Sequence, residues 1–160
     1  MATEIERKFL VNLELLGPLG GGIEMRQAYI SNAESAVVRV RLAGDKAWLT
    51  LKGRNTGAVR SEFEYPIPAQ DARQMIEEFC EGRVISKTRY LREYDGYLWE
   101  IDVFAGANAG LVVAEVELSD PGEEPPLPAW AGLEVTEDSR YFNNSLYSRP
   151  YCEWGGAGGD

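Results

Sequence analysis

The sequence predicts an α+β fold that is mainly β, with about eight mostly antiparallel strands and with flanking helices. Two observations support this prediction. Eight segments alternate polar and apolar residues with the period of two that β-strands show. Short turn sequences separate most of these segments, and Asp95-Gly96 is a dipeptide that favours tight hairpins between antiparallel strands.

The predicted strands span approximately 2–11, 23–31, 36–43, 46–53, 58–67, 83–94, 97–105 and 111–119. A helical pattern follows the fifth of them. Between Asp71 and Cys80, apolar residues recur at i, i+3, i+4 and i+7, and Gly82 comes next, which predicts an amphipathic helix that ends there. A second helix is predicted at about 137–147, where the helix propensity of the residues is poor.

One domain accounts for the chain, because 160 residues and 17.8 kDa suffice for one substantial core and are too few for two ordinary ones. We expect this domain to cover residues 1–154 and the glycine-rich segment 155–160 to be a flexible tail. No apolar stretch approaches the roughly 20 residues that span a bilayer, and no secretory or mitochondrial leader is apparent. A cytoplasmic location without membrane contact is therefore expected.

Composition excludes several kinds of chemistry. Histidine is absent, which removes an imidazole general base and the Ser-His and Cys-His nucleophile pairs. Cys80 and Cys152 are the two cysteines and form no zinc-binding pattern, so both are expected to be reduced thiols. A net charge of -10 argues against a broad nucleic-acid-binding surface.

Charged residues recur in pairs separated by one residue, a spacing that places both side chains on the same face of a strand. The N-terminal segment has two carboxylates and an ammonium group at this spacing. The cationic positions are Lys8, Arg39, Arg41, Lys52, Arg60, Lys87 and Arg89. The acidic positions are Glu4, Glu6, Glu62, Glu64, Glu100, Asp102, Glu115 and Glu117.

Two interpretations of these pairs differ in what the charged face meets. Alternating charges usually coat the solvated face of a sheet, and this is the simpler interpretation of any single pair. A solvated face mixes charges with Thr, Ser and Gln, however, whereas arginine pairs and acidic pairs here occupy separate strands. The opposite faces are apolar, as at Trp99, Ile101 and Val103, and suit packing against helices or a partner. We therefore favour a barrel with a charged interior.

A charged interior requires a ligand or counter-ions, because isolated buried ions cost several kcal/mol each. A barrel of about eight strands can hold one small ligand. A triphosphate is suitable, since its oxygens accept charge-assisted hydrogen bonds from Arg and Lys, while Mg²⁺ or Mn²⁺ bridges them to carboxylates.

The ordered series of motifs resembles the CYTH superfamily, the triphosphate tunnel metalloenzymes. The family's N-terminal ExExK signature corresponds to residues 4–8, the later charged pairs follow in the family's order to 115–117, and segment 136–144 resembles its C-terminal signature. The match covers most of the chain. The pattern ExExK alone would be weak, but the ordered series is specific.

The resemblance implies an eight-stranded antiparallel closed β-barrel (a triphosphate tunnel) with flanking helices. It also implies metal-dependent hydrolysis or cyclisation of triphosphate compounds inside that barrel. It assigns phosphate binding to Lys8, Arg39, Arg41, Lys52, Lys87 and Arg89, with Arg60 joining them. It assigns metal binding to Glu4, Glu6, Glu115 and Glu117, and the holding of the ion or its waters to Glu62, Glu64, Glu100 and Asp102. The residues expected to be catalytic are Glu4, Glu6, Lys8, Lys52, Arg60 and Glu62.

Two further expectations follow from the resemblance. With no histidine present, water activated by the metal and oriented by a carboxylate is the expected nucleophile. Tyr29 matches a tyrosine near the phosphate chain in some short bacterial members, although ordinary aromatic packing explains it equally well.

The favoured activity is hydrolysis of inorganic tripolyphosphate to pyrophosphate and phosphate, with weaker nucleoside triphosphatase activity. The chain is short and has no extra segment suited to a base or to thiamine. The alternatives are an adenylate cyclase or thiamine triphosphatase on the same scaffold, and a non-catalytic polyphosphate- or nucleotide-binding module. The net charge disfavours an RNA triphosphatase. The expected partner is thus a small-molecule triphosphate, without nucleic acid or membrane, and the apolar outer faces leave room for a homodimer.

Overall fold

The computed structural model describes residues 3–33, 35–54 and 56–154, so the predicted tail 155–160 lies outside the described residues. The strands are β1 (Thr3–Val11), β2 (Ile23–Ala33), β3 (Ala36–Ala43), β4 (Lys46–Lys52), β5 (Val59–Ile67), β6 (Ile85–Tyr94), β7 (Tyr97–Phe104), β8 (Val112–Glu117) and β9 (Ala131–Glu134). The α-helices are α1 (Leu13–Leu16), α2 (Ala69–Cys80) and α3 (Asn143–Ser148). Short 3₁₀ helices cover Gly106–Asn108, Ser139–Tyr141 and Tyr151–Glu153.

The sheet closes on itself. Its strand order is β5-β4-β3-β2-β6-β7-β8-β1-β9, and β1 also pairs with β5, which joins the first eight strands into a ring. The first part of β1 pairs with β5 at Thr3↔Ser61 and Ile5↔Val59, whereas its last part pairs with β9 along the same edge. Every pairing is antiparallel, so the predicted eight-stranded antiparallel closed barrel is confirmed.

The tight turns follow the predicted residues. Asp95 and Gly96 both have positive φ, 49° and 85°, as a two-residue hairpin turn with right-handed twist requires. The α2 helix begins two residues before the predicted start and ends as expected near Gly82, whose backbone N–H donates to the Ile76 carbonyl.

Three elements differ from the sequence prediction. The predicted helix at 137–147 is instead the 3₁₀ turn Ser139–Tyr141 followed by the shorter α3, because the Asp138 side chain accepts from the Arg140 backbone N–H and Phe142 is extended. The sequence prediction missed β9 and α1. β9 is only four residues long, and α1 depends on Asn12, whose side chain accepts from the N–H groups of Glu14 and Leu15.

Two apolar layers cover the outside of the barrel. On one side, Ala72, Ile76 and Cys80 of α2 pack against Val40 and other outward residues of β2, β3 and β4. On the other side, the outward faces of β1, β7 and β8 pack with α1 and with the segment before β9, in a cluster of Phe9, Leu16, Trp99, Ile101, Val112, Ala114, Val116, Leu118 and Trp130. The predicted packing of the apolar strand faces is confirmed.

A third apolar cluster fills one end of the barrel interior. Inward residues of the strands meet Val135, Tyr141 and Leu146 from the C-terminal segment there. Tyr141 also contacts Trp154 edge-to-face, with ring centroids 5.1 Å apart. We name this C-terminal segment, residues 135–154, the plug, because it closes that end of the barrel. Among the described residues, no helix is long and apolar enough to cross a bilayer.

The packing of α2 on the barrel can be tested at Ile76, which is 6% exposed. We expect Ile76→Ala to lower the free energy of unfolding by about 2–5 kcal/mol, because it removes buried methyl groups and leaves a cavity. Phe79→Ala on the same helix is the matched control, since Phe79 is 60% exposed. Urea denaturation measures both variants, and equal losses would contradict the described orientation of α2.

Candidate active site

A cavity of about 390 Å³ lies inside the barrel, next to the plug. Its walls are polar because the charged pairs all fall on the inward face of their strands, while the alternate residues face the outer apolar layers. All of the predicted site residues except Lys87 and Asp102 line it: Glu4, Glu6, Lys8, Arg39, Arg41, Lys52, Arg60, Glu62, Glu64, Arg89, Glu100, Glu115 and Glu117.

One wall of the cavity is acidic. The register places Glu6 of β1 directly opposite Glu117 of β8, and Glu115 directly opposite Glu100 of β7. Like charges at directly opposed positions destabilise a sheet. The pKa of Glu6 is raised well above its ordinary value by burial, then by the charges of Glu115 and Glu4. This wall therefore carries more negative charge than its own cations balance.

The facing side of the cavity is cationic. Arg39 and Arg41 extend from β3 and Lys52 from β4. Burial, followed by the charge of Arg39, lowers the pKa of Arg41 to about 10. The pKa of Lys52 is also lowered by burial and then by Arg39. Arg39 is thus close enough to repel both Arg41 and Lys52, which favours a bound anion.

Some of these charges pair with each other inside the barrel. Lys52 Nζ lies 3.3 Å from Glu4 Oε1, and Lys8 Nζ lies 3.6 Å from Glu115 Oε2. Lys8 Nζ also donates to the Tyr141 carbonyl of the plug at 3.1 Å. Such pairs offset part of the desolvation cost of the charged interior before a ligand binds.

Arg39 has an unsatisfied donor. One of its terminal nitrogens, Nη2, bonds Thr50 Oγ1 at 3.2 Å and Glu64 Oε2 at 3.3 Å. Its Nε, however, is buried and has no hydrogen-bond partner in the described part of the chain. An unpaired buried N–H is costly, and a ligand oxygen in the cavity would satisfy it.

Arg60 and Glu62 lie where β5 meets β1. Arg60 is directly opposite Glu4, and its Nε donates to the Gly53 carbonyl at 3.0 Å. Glu62 is directly opposite Lys52 on β4. Its pKa is raised by burial and then by Glu4. Both side chains line the cavity beside the acidic wall.

Lys87 and Asp102 lie deeper than the other predicted residues, outside the cavity lining. Asp102 Oδ2 accepts from Lys87 Nζ at 2.8 Å, and Arg89 donates to both Asp102 oxygens at 2.8 and 2.9 Å. Burial alone would raise the pKa of Asp102, but the charges of Lys87 and Arg89 outweigh it and hold this pKa well below its ordinary value. Burial lowers the pKa of Lys87 to about 7. Asp102 thus holds two cations in place.

The sequence analysis missed two uncharged groups of the site. Thr50, fully buried, donates from Oγ1 to Glu64 at 2.8 Å and so links β4 to β5. Gln27, also fully buried, accepts from Arg41 Nε at 3.1 Å and donates to the Tyr29 hydroxyl at 3.0 Å. Tyr29 lines the cavity and packs edge-to-face on Tyr147, so it has both a packing contact and a polar contact. Gln27 lies two residues before Tyr29 on β2, so both side chains share the inward face of that strand. This spacing is the sequence signal that could have identified Gln27.

The acidic wall does not form a complete metal site from its own side chains. Among the described residues, no group of three or more acidic or thiol side chains could hold a metal ion by itself. The opposed glutamates are nevertheless hard oxygen donors. Magnesium typically binds one or two carboxylates and completes its coordination with water and substrate phosphate, and the acidic wall suits that arrangement.

These features define a class of protein: an antiparallel β-barrel whose interior cavity is lined by side chains of both charge signs. A model of the CYTH domain matches residues 2–151. An inorganic triphosphatase from Acetivibrio thermocellus is 45% identical over 151 residues, 94% of this chain and 97% of that protein. An inorganic triphosphatase from Nitrosomonas europaea is 41% identical over 148 residues, 90% of this chain and 96% of that protein.

Solved structures agree. The crystal structure of an inorganic triphosphatase matches with a TM-score of 0.62 and 37% identity, covering 89% of this chain and 96% of that one. A candidate adenylate cyclase from Bacillus halodurans matches with a TM-score of 0.58, over 76% of this chain and 84% of that one. The latter is only 19% identical and shows the fold alone. The chain belongs to the CYTH family, as its motifs predicted, and this membership implies metal-dependent catalysis.

The role of Asp102 can be tested by Asp102→Asn. We expect a loss of about 3–5 kcal/mol in the free energy of unfolding, because the change removes the carboxylate that pairs with buried Lys87 and that accepts two hydrogen bonds from Arg89. Glu100→Gln is the matched control, since Glu100 is a half-exposed partner of the same arginine at 3.4 Å, and we expect it to cost about 1 kcal/mol or less. Urea unfolding in phosphate-free buffer measures both, and similar small losses would refute the role of Asp102.

Proposed function

We propose that this protein is a metal-dependent hydrolase that cleaves inorganic tripolyphosphate to pyrophosphate and phosphate, with weaker activity on nucleoside triphosphates. One observation carries the proposal: the cavity inside the barrel has a cationic side and a facing acidic wall on which carboxylates lie directly opposite one another. Inorganic triphosphatases that align with nearly the whole chain at 45% and 41% identity support the same activity.

The cationic side provides the phosphate contacts. Arg39, Arg41 and Lys52 donate to phosphate oxygens, and the unpaired Nε of Arg39 gains its missing acceptor. Lys8 of β1 and Arg89 of β6 contact the phosphate chain from other strands of the barrel, and Arg60 extends the cationic surface along β5. Lys87 lies outside the cavity lining and acts indirectly: it bonds Asp102, which in turn orients Arg89. Phosphoryl transfer depends mainly on such positioning and charge neutralisation.

The acidic wall provides the metal ligands. Glu4, Glu6, Glu115 and Glu117 are the carboxylates that would hold Mg²⁺ or Mn²⁺, together with oxygens of the substrate and of water. When bound, the divalent cation neutralises charge on the phosphate oxygens and acidifies a water molecule. Glu62, beside Glu4 in the cavity wall, is the carboxylate that would orient such a water and accept its proton, and its raised pKa suits a group that gains a proton. Glu64 and Glu100 hold the neighbouring arginines.

The alternative activities have less support. A thiamine triphosphatase or an adenylate cyclase needs a surface for an organic group, whereas the cavity walls near the acidic residues are mostly charged, with Leu98 as one apolar side chain there. A non-catalytic binding module would not need the opposed carboxylates of β1 and β8. The substrate is thus proposed to be a small-molecule triphosphate.

A substrate panel tests the proposal. We expect phosphate release from tripolyphosphate to exceed release from ATP and thiamine triphosphate at equal concentration, with either Mg²⁺ or Mn²⁺, because the charged cavity binds the phosphate chain and offers little to an organic group. Release is measured colorimetrically, and cyclic AMP is measured in parallel. A clear preference for an organic substrate would overturn the choice of tripolyphosphate, and tight binding without turnover would support the binding module.

The metal assignment can be tested at Glu6. We expect Glu6→Gln to lower kcat by about 100-fold or more, because it removes a metal ligand, while the fold remains intact or gains stability as the repulsion from Glu4 and Glu115 is relieved. Arg41→Ala is the contrasting variant and should mainly raise KM, by roughly 10-fold or more for one charge-assisted contact. Steady-state kinetics at several metal concentrations distinguish the two. Full metal-dependent activity in Glu6→Gln would refute the assignment.

A further inference from the structure

We propose that Asn143, at the start of α3 in the plug, is a substrate-binding residue whose side-chain NH₂ donates to the phosphate group at the plug end of the cavity. We further infer that Gln27 is a positioning residue that orients this amide. Both statements rest on the proposed function. Asn143 lines the cavity and belongs to no charged pair of the site.

The orientation of the two amides is fixed by obligatory donors. Arg41 Nε can only donate, and it lies 3.1 Å from Gln27, so the Gln27 oxygen must face Arg41. The Gln27 NH₂ then faces the other way. It donates to the Tyr29 hydroxyl at 3.0 Å and to Asn143 Oδ1 at 3.2 Å, which uses both of its hydrogens.

Lys87 fixes Asn143 independently. Its Nζ lies 3.2 Å from Asn143 Oδ1 and 2.8 Å from Asp102 Oδ2, and it donates to both. The Asn143 oxygen therefore accepts hydrogen bonds from two donors, Gln27 and Lys87. Exchange of its oxygen and nitrogen would place NH₂ against two donors and is excluded.

The remaining half of the Asn143 amide has a free donor. Its NH₂ bonds no other group in the described part of the chain, although Asn143 contributes to the cavity wall. Asn143 thus has an amide that is fixed through its oxygen, lines a cavity proposed to bind a polyanion, and keeps an NH₂ that can donate to a phosphate oxygen. Because the third apolar cluster fills the barrel beyond this point, the phosphate that Asn143 meets is the end of the bound chain.

Asn143→Asp tests the donor directly. This change keeps the oxygen that accepts from Gln27 and Lys87, and it replaces the donating NH₂ with an acceptor of nearly the same shape. We expect the KM for tripolyphosphate to rise by roughly 10-fold or more, with a much smaller change in kcat, because a contact made equally in the ground state and the transition state contributes to binding alone. The unfolding temperature should stay close to that of the unchanged protein.

The control is Ser148→Asp, which adds the same charge to the same helix at an exposed position. It should leave KM and kcat unchanged. Calorimetric titration of tripolyphosphate in metal-free buffer gives a second measurement, and its Kd should rise in Asn143→Asp and not in Ser148→Asp. An unaltered KM in Asn143→Asp, or an equal rise in Ser148→Asp, would overturn the proposal.

Gln27→Met provides the second variant and decides the matter if Asn143→Asp does not fold. It is close in shape to glutamine and removes the link between Arg41 and Asn143, so we expect KM to rise with kcat largely retained. A KM like that of the unchanged protein would refute the positioning role. The unchanged protein tests the proposed function itself, which fails if this protein neither binds nor cleaves tripolyphosphate. Normal turnover and an unaltered KM in every variant refute only the role of Asn143.

Discussion

The opposed carboxylates of β1, β7 and β8 are the constraint on which the rest of the site depends. Glu6 faces Glu117, and Glu100 faces Glu115, at directly paired positions. Such pairs oppose folding unless cations lie nearby. Lys8, Lys52 and Arg89 supply part of that compensation inside the barrel. The remaining negative charge, with the unpaired Nε of Arg39 on the other side, is the physical reason to expect a metal ion and a polyanion together.

The surroundings of the cavity keep these charges in place. Closure of β1 onto β5 removes the sheet edges, and the outer apolar layers with α2 and α1 hold the strands at fixed register. Beneath the cavity lining lies an ion cluster of Lys87, Arg89 and Asp102, in which the Asp102 carboxylate fixes both cations. A site that is held before the ligand arrives loses less conformational entropy on binding.

Much of the barrel and most of the site could be predicted from the sequence, because strand periodicity directly determines which side chains share a face. The inward placement of Arg39, Glu62 and Glu115 follows from that periodicity, and closure into a barrel follows from the family motifs. The register of the closing pair at Thr3↔Ser61 follows from neither. The depth of Lys87 and Asp102, the β9 strand and the amide link from Gln27 to Asn143 could not be predicted. They depend on contacts between residues far apart in the chain, which local patterns do not encode.

The central claim is that one cavity holds a triphosphate and a divalent cation between walls of opposite charge. Anomalous diffraction from crystals grown with Mn²⁺ and a non-hydrolysable imidotriphosphate tests it most directly. The account predicts a manganese peak against the acidic wall of Glu4, Glu6, Glu115 and Glu117, with the phosphate chain along Arg39 and Arg41. Manganese bound outside the barrel, or a phosphate chain that leaves Arg39 and Arg41 without contact, would contradict it.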